Sequence, residues 1–214
     1  MPYSQNNEEE FIVSRLGSSP GRFLDIGAYD GKVFSNTLRL AELGWSGVCY
    51  EPSPSVFPAL KKLYENNPTI ICVQQAVASA TGTLTFFDSN GDAISSLSVA
   101  HKQKWEAGWK CSFTQVEVEA VAMGDVFAKY GYDFEFINLD VEGANIDLFN
   151  LIPFERLTRL KMFCVEHDGH ASLIEKKLAP FGFEKVCHNP ENLIVYRPLS
   201  TTSGIGSEVW DSTI

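Results

Sequence analysis

The sequence predicts an α/β protein with a mostly parallel sheet and helices on both faces of that sheet. Short apolar runs at residues 23–26, 47–51 and 69–73 have the length and composition of buried strands. The first two runs are each followed by a segment with helical spacing, at residues 34–43 and 56–64. Strands and helices in direct succession imply parallel pairing with right-handed crossovers.

The rest of the chain extends this alternation on both sides of the three strands. A helix is predicted before the first strand, at residues 8–16, where three glutamates favour the N-terminal end of a helix dipole. The later elements are helices at residues 122–129, 144–151 and 171–178, strands at residues 134–139 and 161–166, and an antiparallel terminal pair of strands at residues 183–187 and 192–196.

The segment between residues 83 and 121 departs from the alternation and is interpreted as an insertion. Residues 83–87 and 115–119 alternate at period two, as half-exposed strands do. Between them, residues 89–113 are predicted to form a long loop, which is uncommon unless the loop is functional or mobile. We expect this loop to be part lid and part substrate wall of a single domain over residues 1–199. Residues 200–214 are rich in Ser and Thr and are predicted to be a flexible tail.

Composition and charge narrow the function. The 214 residues carry a formal net charge of −10, which argues against a nucleic-acid or anionic-membrane surface. The sequence shows no apolar signal region and no stretch of about 20 apolar residues. Its five cysteines are an odd count without close metal-type pairs, as expected for free thiols. We therefore expect a cytoplasmic protein without a nucleic-acid or membrane partner.

The turn after the first predicted strand indicates a bound nucleotide-like cofactor. Asp25, Gly27 and Gly31 form the pattern Asp-x-Gly-x-x-x-Gly between a strand and a helix, a pattern typical of S-adenosylmethionine (SAM) sites. A dinucleotide fingerprint that starts at Gly27 needs glycine at positions 29 and 32. Tyr29 and Lys32 stand there instead, which disfavours an NAD-type oxidoreductase.

Two acidic residues near this turn are candidate cofactor contacts. Glu51 ends the second strand about 20 residues beyond the turn, where a carboxylate can accept both hydroxyls of a ribose. The ordinary alternative is a solvated loop acid. Asp25 lies within a buried strand, where an unpaired charge is costly. It is expected to accept hydrogen bonds either from the N–H groups of the turn or from the amino group of the ligand.

Proton-accepting side chains follow the fourth and fifth strands of the predicted sheet. Asp140 and Glu142 come directly after the fourth strand, and His167 follows the fifth. These strand ends face the ligand in an open α/β sheet, so the residues are candidates for a general base or for a divalent cation site. We favour the metal-free base, because the cluster has no obvious rigid set of ligands. The ordinary alternative is a helix-capping acid beside a histidine in a solvated turn.

Five motifs, in order along the chain, resemble the FkbM family of SAM-dependent methyltransferases. They are residues 3–5 (Tyr-Ser-Gln), 23–28 (Phe-Leu-Asp-Ile-Gly-Ala), 34–37 (Phe-Ser-Asn-Thr), 44–52 (which includes Gly-Trp-Ser-Gly and Glu-Pro) and 140–143 (Asp-Val-Glu-Gly). The resemblance implies the class I methyltransferase fold, a Rossmann-like seven-stranded sheet whose last strand is antiparallel. It also implies cofactor contacts at the Gly27 turn, at Glu51 and near Ala76. Many relatives carry Asn where this chain has Gln74.

The expected activity is transfer of a methyl group from SAM to a hydroxyl of a sugar or other small acceptor. The alternatives are a SAM-binding module without turnover, acting as a sensor or scaffold, and, less favoured, the NAD-type oxidoreductase. The expected catalytic residues are Asp140, Glu142 and His167. The residues expected to contact SAM are Asp25, Gly27, Ala28, Tyr29, Gly31, Ser35, Asn36, Glu51 and Ala76.

Overall fold

A computed structural model describes residues 2–17 and 19–198 of the chain. Its centre is a seven-stranded sheet, as the resemblance implies. The strands are β1 (Arg22–Ile26), β2 (Ser46–Tyr50), β3 (Ile70–Val73), β7 (Phe136–Leu139), β8 (Met162–Glu166), β9 (Glu184–His188) and β10 (Asn192–Tyr196). Their order in the sheet is β3-β2-β1-β7-β8-β10-β9, and β10 is antiparallel to both of its neighbours while the pairs from β3 to β8 are parallel.

Helices cover both faces of this sheet, and alternate strand residues supply the two apolar layers. Phe23 of β1 packs in the layer beneath the first three helices, whereas Leu24 and Ile26 pack in the opposite layer. The helices of the first layer are α1 (Glu8–Leu16), α2 (Leu38–Glu42) and α3 (Phe57–Leu63). Those of the second layer are α5 (Met123–Tyr130), α6 (Asn145–Leu151) and α7 (Ala171–Leu178). A short 3-10 helix (Ala179–Phe181) follows α7.

The inserted segment, together with residues 76–82 before it, forms a second, three-stranded sheet with a small apolar cluster of its own. Its strands β4 (Ala76–Ala78), β5 (Gly82–Asp88) and β6 (Thr114–Ala122) are ordered β4-β6-β5. The prediction of a loop over residues 89–113 is wrong in part, because α4 (Val99–Trp109) lies within it. The hydroxyl of Ser98 accepts the backbone N–H of His101 and so caps this helix. The tail predicted at residues 200–214 lies outside the described residues.

The helix after β1 is shorter than its apolar spacing predicts. Phe34 adopts a left-handed backbone conformation with φ of 59° and is half exposed, so it does not belong to the helix. The Asp30 carboxylate accepts the N–H groups of Lys32 and Val33, which holds this stretch as a turn. The helix begins at Leu38, leaving an irregular segment beside the end of β1.

Among the residues that the structure describes, no helix is long and apolar enough to cross a membrane.

Candidate active site

A cavity of about 540 Å³ opens at the carboxyl ends of β1, β2, β7 and β8. This volume is in the usual range for sites that enclose a small molecule. The inserted segment closes one side of the cavity with residues 92–95 and with His101, Lys104 and Trp105 of α4. Eight of the nine residues that the sequence predicts to contact SAM line the cavity: Asp25, Gly27, Ala28, Tyr29, Ser35, Asn36, Glu51 and Ala76.

The Gly27 turn joins β1 to its neighbours at the floor of the cavity. The N–H groups of Gly27 and Ala28 both donate to the carbonyl of Tyr50, at 3.0 and 2.9 Å. Gly27 has φ of +88°, and a Cβ at this position would lie 1.6 Å from the carbonyl oxygen of Asp140. The turn therefore requires glycine both for its conformation and for the close approach of the loop after β7.

Gly31 is the predicted contact that does not line the cavity. Its N–H donates to the carbonyl of Ala28 at 2.9 Å, and a Cβ would meet Leu60 of α3 at 2.6 Å. The structure thus gives Gly31 a packing role, in which the turn lies against α3.

Glu51 lies at the end of β2 with a buried, fully oriented carboxylate. One oxygen accepts the N–H of Tyr29 at 2.9 Å, and the other accepts the N–H of Ser53 at 2.7 Å. Burial raises the pKa of Glu51 to about 7, against these two hydrogen bonds, which lower it. Because a carboxylate oxygen has two acceptor directions, each oxygen can also accept a hydroxyl of a ligand in the cavity.

Asp25 is held by two side chains and not by the N–H groups of the Gly27 turn. Its carboxylate accepts hydrogen bonds from Thr37 Oγ1 at 2.6 Å and from Asn138 Nδ2 at 2.9 Å, rather than from the turn. Asn138 Oδ1 in turn accepts from Asn36 Nδ2 at 3.0 Å. Asn36 Oδ1 is then left buried without a donor among the described residues, and Asn36 lines the cavity. This orphaned acceptor suits an ammonium group of a ligand.

Ser35 and Ala76 lie at two further walls of the cavity. Ser35 Oγ accepts the N–H of Leu38, the first residue of α2, at 3.0 Å while lining the site. Ala76 is buried at the start of β4. Gln75 and Val77, on either side of Ala76, also line the cavity, whereas Gln74 is exposed.

Three carboxyl groups meet at the ends of β7 and β8. Oxygen atoms of Asp140, Glu142 and Glu166 all lie within 4.8 Å of one another and line the cavity. Burial and the mutual repulsion of the three groups raise the pKa of each of them. Asp140 and Glu142 thus line the cavity, at the strand end where the sequence predicted them. Glu166 was missed as a site residue, although its place at the carboxyl end of a strand was a usable signal.

His167 is the predicted catalytic residue that the structure places elsewhere. Its Nδ1 accepts the N–H of Gly169 at 2.9 Å, and Nε2 lies 3.1 Å from the carbonyl of Asn189. Since Nδ1 is an acceptor and a carbonyl faces Nε2, the proton belongs on Nε2 and both nitrogens are engaged. The ring does not line the cavity, so the prediction of His167 as a base on the acceptor side is corrected.

His101 of α4 lies beside Glu142 of the carboxyl cluster, and the sequence did not predict this position. Its side chain is 9% exposed, and Nε2 lies 3.4 Å from Glu142 Oε2. Burial lowers the pKa of His101, which favours the neutral ring. No pattern around His101 marks it as a site residue, because its position depends on how the inserted segment folds over the sheet.

The strand order, the glycine turn and the oriented acid after β2 define a class I methyltransferase. The unpaired acceptor Asn36 Oδ1 fits the amino group of SAM, and the two carboxylate oxygens of Glu51 fit its ribose hydroxyls. The chain belongs to the FkbM methyltransferase family, because the family model described as "Methyltransferase FkbM domain" matches residues 25–185. It is a SAM-dependent methyltransferase. A search of curated proteins found no match.

Solved structures of other methyltransferases resemble the chain at low sequence identity. The ribosomal protein L11 methylase of Lactobacillus delbrueckii subsp. bulgaricus has 14% identity and a TM-score of 0.46, with 89% of this chain and 77% of that chain covered. Magnesium protoporphyrin IX methyltransferase of Synechocystis PCC 6803, with bound SAM, has 12% identity and a TM-score of 0.46, with 89% and 78% covered. The METTL16 MTase domain has 15% identity and a TM-score of 0.47, with 87% and 63% covered.

Proposed function

We propose that this protein transfers a methyl group from SAM to a hydroxyl oxygen of a small polyhydroxylated acceptor such as a sugar. One observation carries the proposal: a single cavity contains the cofactor residues around Gly27 and Glu51 and also the carboxyl cluster of Asp140, Glu142 and Glu166. Carboxyl groups hydrogen-bond hydroxyls well, and they are the side chains that a hydroxyl acceptor needs at the reacting atom.

The sheet sets the separation between the two parts of the cavity. Glu51 follows β2 and Asp140 follows β7, and β1 lies between these strands. Two strand spacings amount to about 10 Å. A cofactor whose ribose binds Glu51 and whose amino group binds near Asn36 therefore lies across the end of β1, with the acids on its far side. This arrangement supports an acceptor bound over β7 and β8.

When bound, SAM supplies an electrophilic methyl group on a sulfonium. The task of the chain is alignment, since in-line displacement depends chiefly on the geometry of the nucleophile and the leaving group. Asp140 and Glu142 are placed to orient the acceptor hydroxyl and to receive its proton as the new bond forms. The α4 helix, through Trp105 and His101, covers this end of the cavity and limits the access of water.

The charge of the chain and its cysteines support a small-molecule acceptor in a reducing compartment. A net charge of −10 disfavours an RNA acceptor, because phosphate contacts need clustered cations. All five cysteines are free thiols, which supports a cytoplasmic location.

The proposal is tested by incubating the protein with SAM and a panel of sugars, other small hydroxyl compounds, peptides and RNA, and by mass spectrometry of the products. We expect a methyl increment on an oxygen of a sugar or similar compound, lowered about 10²–10⁴-fold in Asp140→Asn with SAM binding retained. Methylation of peptide or RNA alone contradicts the acceptor class. Binding of SAM without transfer to any acceptor supports the alternative of a SAM-binding sensor or scaffold.

A further inference from the structure

The carboxyl cluster of Asp140, Glu142 and Glu166 contains more negative groups than nearby cations. Its oxygen atoms lie within 4.8 Å of one another, and Asp168 also borders the cavity. Among the described residues, the Lys or Arg side chain that lines the cavity is Lys104. Three carboxyl groups at such distances are stable only if protons or a bound cation reduce their repulsion.

Neighbouring groups hold the cluster in a fixed arrangement. Asn145 is fully buried, and its Oδ1 accepts the N–H of Val141 at 2.8 Å. Its Nδ2 donates to Glu166 at 2.6 Å and to Asp168 at 3.1 Å. Asn145 thereby ties the loop after β7 to the loop after β8. Orientation of carboxylates by such a buried partner is the usual support of a metal site.

Two buried atoms at the cluster have no hydrogen-bond partner among the described residues. Asp140 Oδ1 is one of them. The other is Nε2 of His101, whose side chain is 9% exposed and whose nitrogen faces Glu142 Oε2 at 3.4 Å. A buried nitrogen without a hydrogen-bond partner and a carboxylate oxygen that face each other need a proton or a cation between them.

We propose that Asp140, Glu142 and Glu166 bind a divalent cation, with His101 at the edge of the site. Carboxylate oxygens favour a hard cation, Mg²⁺ or Mn²⁺. The separation between His101 Nε2 and Glu142 Oε2 is close to the roughly 3 Å between neighbouring ligands of an octahedral ion with bonds of about 2.1 Å. The rigid support that the sequence did not reveal is supplied by Asn145.

A cation here would have a function at the acceptor end of the cavity. It would bind the acceptor hydroxyl and lower its pKa, and the proton would pass to a carboxylate oxygen of the cluster that does not bind the cation. Glu51 and the Gly27 turn would hold the cofactor. This function, unlike the cation site itself, rests on the proposed O-methylation.

The site is tested by titrating the SAM-free protein with Mn²⁺ and measuring free Mn²⁺ by electron paramagnetic resonance. We expect one bound Mn²⁺ per chain, displaced by excess Mg²⁺. Glu142→Gln and Glu166→Gln should each weaken Mn²⁺ binding by about tenfold or more. Glu10→Gln, which removes an exposed acid of α1, is the matched control and should bind Mn²⁺ as the wild type does. Circular dichroism and SAM binding verify that the variants are folded.

If a variant fails to fold, the wild-type protein still locates the ion. Mn²⁺ should broaden the amide signals of residues 140–142 and 166 before those of other residues, because paramagnetic broadening falls steeply with distance. The proposal would be overturned by the absence of bound Mn²⁺, by wild-type Mn²⁺ affinity in both variants, or by broadening only of residues elsewhere; protons would then be the neutralising groups. None of these measurements needs an acceptor, so failure of the methylation assay is a separate result.

Discussion

Asn138 Nδ2 donates a hydrogen bond to Asp25 Oδ1 at 2.9 Å, joining β7 to β1 beneath the cofactor turn. The two residues face each other in the parallel register of the strands. Both are buried, so the carboxylate of Asp25 has exchanged water for Asn138 and Thr37. An acid at the centre of a sheet is tolerated here because its partners come from the adjoining strand and from the segment before α2.

Replacement of Asn138 by alanine should lower the free energy of unfolding by about 1–3 kcal/mol, because the buried Asp25 carboxylate loses a donor. The measurement is urea unfolding followed by circular dichroism. Asn66→Ala, at an exposed position after α3, is the control and should change stability by less than about 0.5 kcal/mol. Equal stability of the two variants would show that the Asp25–Asn138 contact does not stabilise the sheet.

Gly27→Ala should abolish SAM binding and also disturb the loop after β7. The added Cβ would lie 1.6 Å from the carbonyl oxygen of Asp140, so the turn and that loop cannot keep their present separation. Gly108→Ala is the matched control, since a Cβ there meets nothing within 4 Å on the exposed helix α4. Calorimetry should show SAM binding in the control alone. Retained binding in Gly27→Ala would contradict the described turn.

Glu51→Ala should weaken SAM binding by about 1.5–3 kcal/mol, the range for hydrogen bonds to a charged group. The turnover rate at saturating SAM should change much less, because the contact with the ribose is the same in the ground and transition states. Isothermal calorimetry and initial rates measure the two effects separately. A variant with wild-type affinity would show that Glu51 only organises the loop through Tyr29 and Ser53.

Glu51 should also make the stability of the SAM-free protein depend on pH. Its pKa is raised by burial from an ordinary value of 4.5 to about 7, so the folded protein binds the proton more tightly than the unfolded chain does. Its stabilising contribution is therefore complete below about pH 4.5 and is lost as the pH rises through about 7; the change amounts to about 3 kcal/mol. Between about pH 4.5 and pH 7, the free energy of unfolding should fall more steeply with pH in the wild type than in Glu51→Gln. Parallel profiles would contradict the raised pKa.

The parts of the fold that depend on local sequence were predictable. Glycine at position 27, between an apolar strand and a polar turn, indicated the cofactor loop, and the acid at position 51 followed from the length of one strand-helix-strand unit. Short buried strands with alternating helices likewise identified the parallel part of the sheet, since both faces of each strand are apolar.

The contacts between distant segments were not predictable. Asp25 and Asn138 are 113 residues apart, and no local pattern relates them. Helix α4 has no buried apolar residue, so it lacks the apolar stripe by which helices are identified in a sequence. The contact of His101 with Glu142 follows from the docking of that helix. His167 was misassigned because sequence does not reveal which acceptors surround a histidine after a strand.

Tyr29 contacts both the cofactor side and the inserted segment. Its N–H donates to Glu51, and its hydroxyl donates to the carbonyl of Gly91 at 2.6 Å. A ligand that fixes Glu51 therefore also restrains the segment that covers the acceptor end of the cavity. In kinetic terms, this linkage predicts an ordered mechanism in which SAM adds first and the acceptor second. Product-inhibition patterns would show it, and Tyr29→Phe, which keeps the N–H and removes the hydroxyl, should shift the order toward random addition.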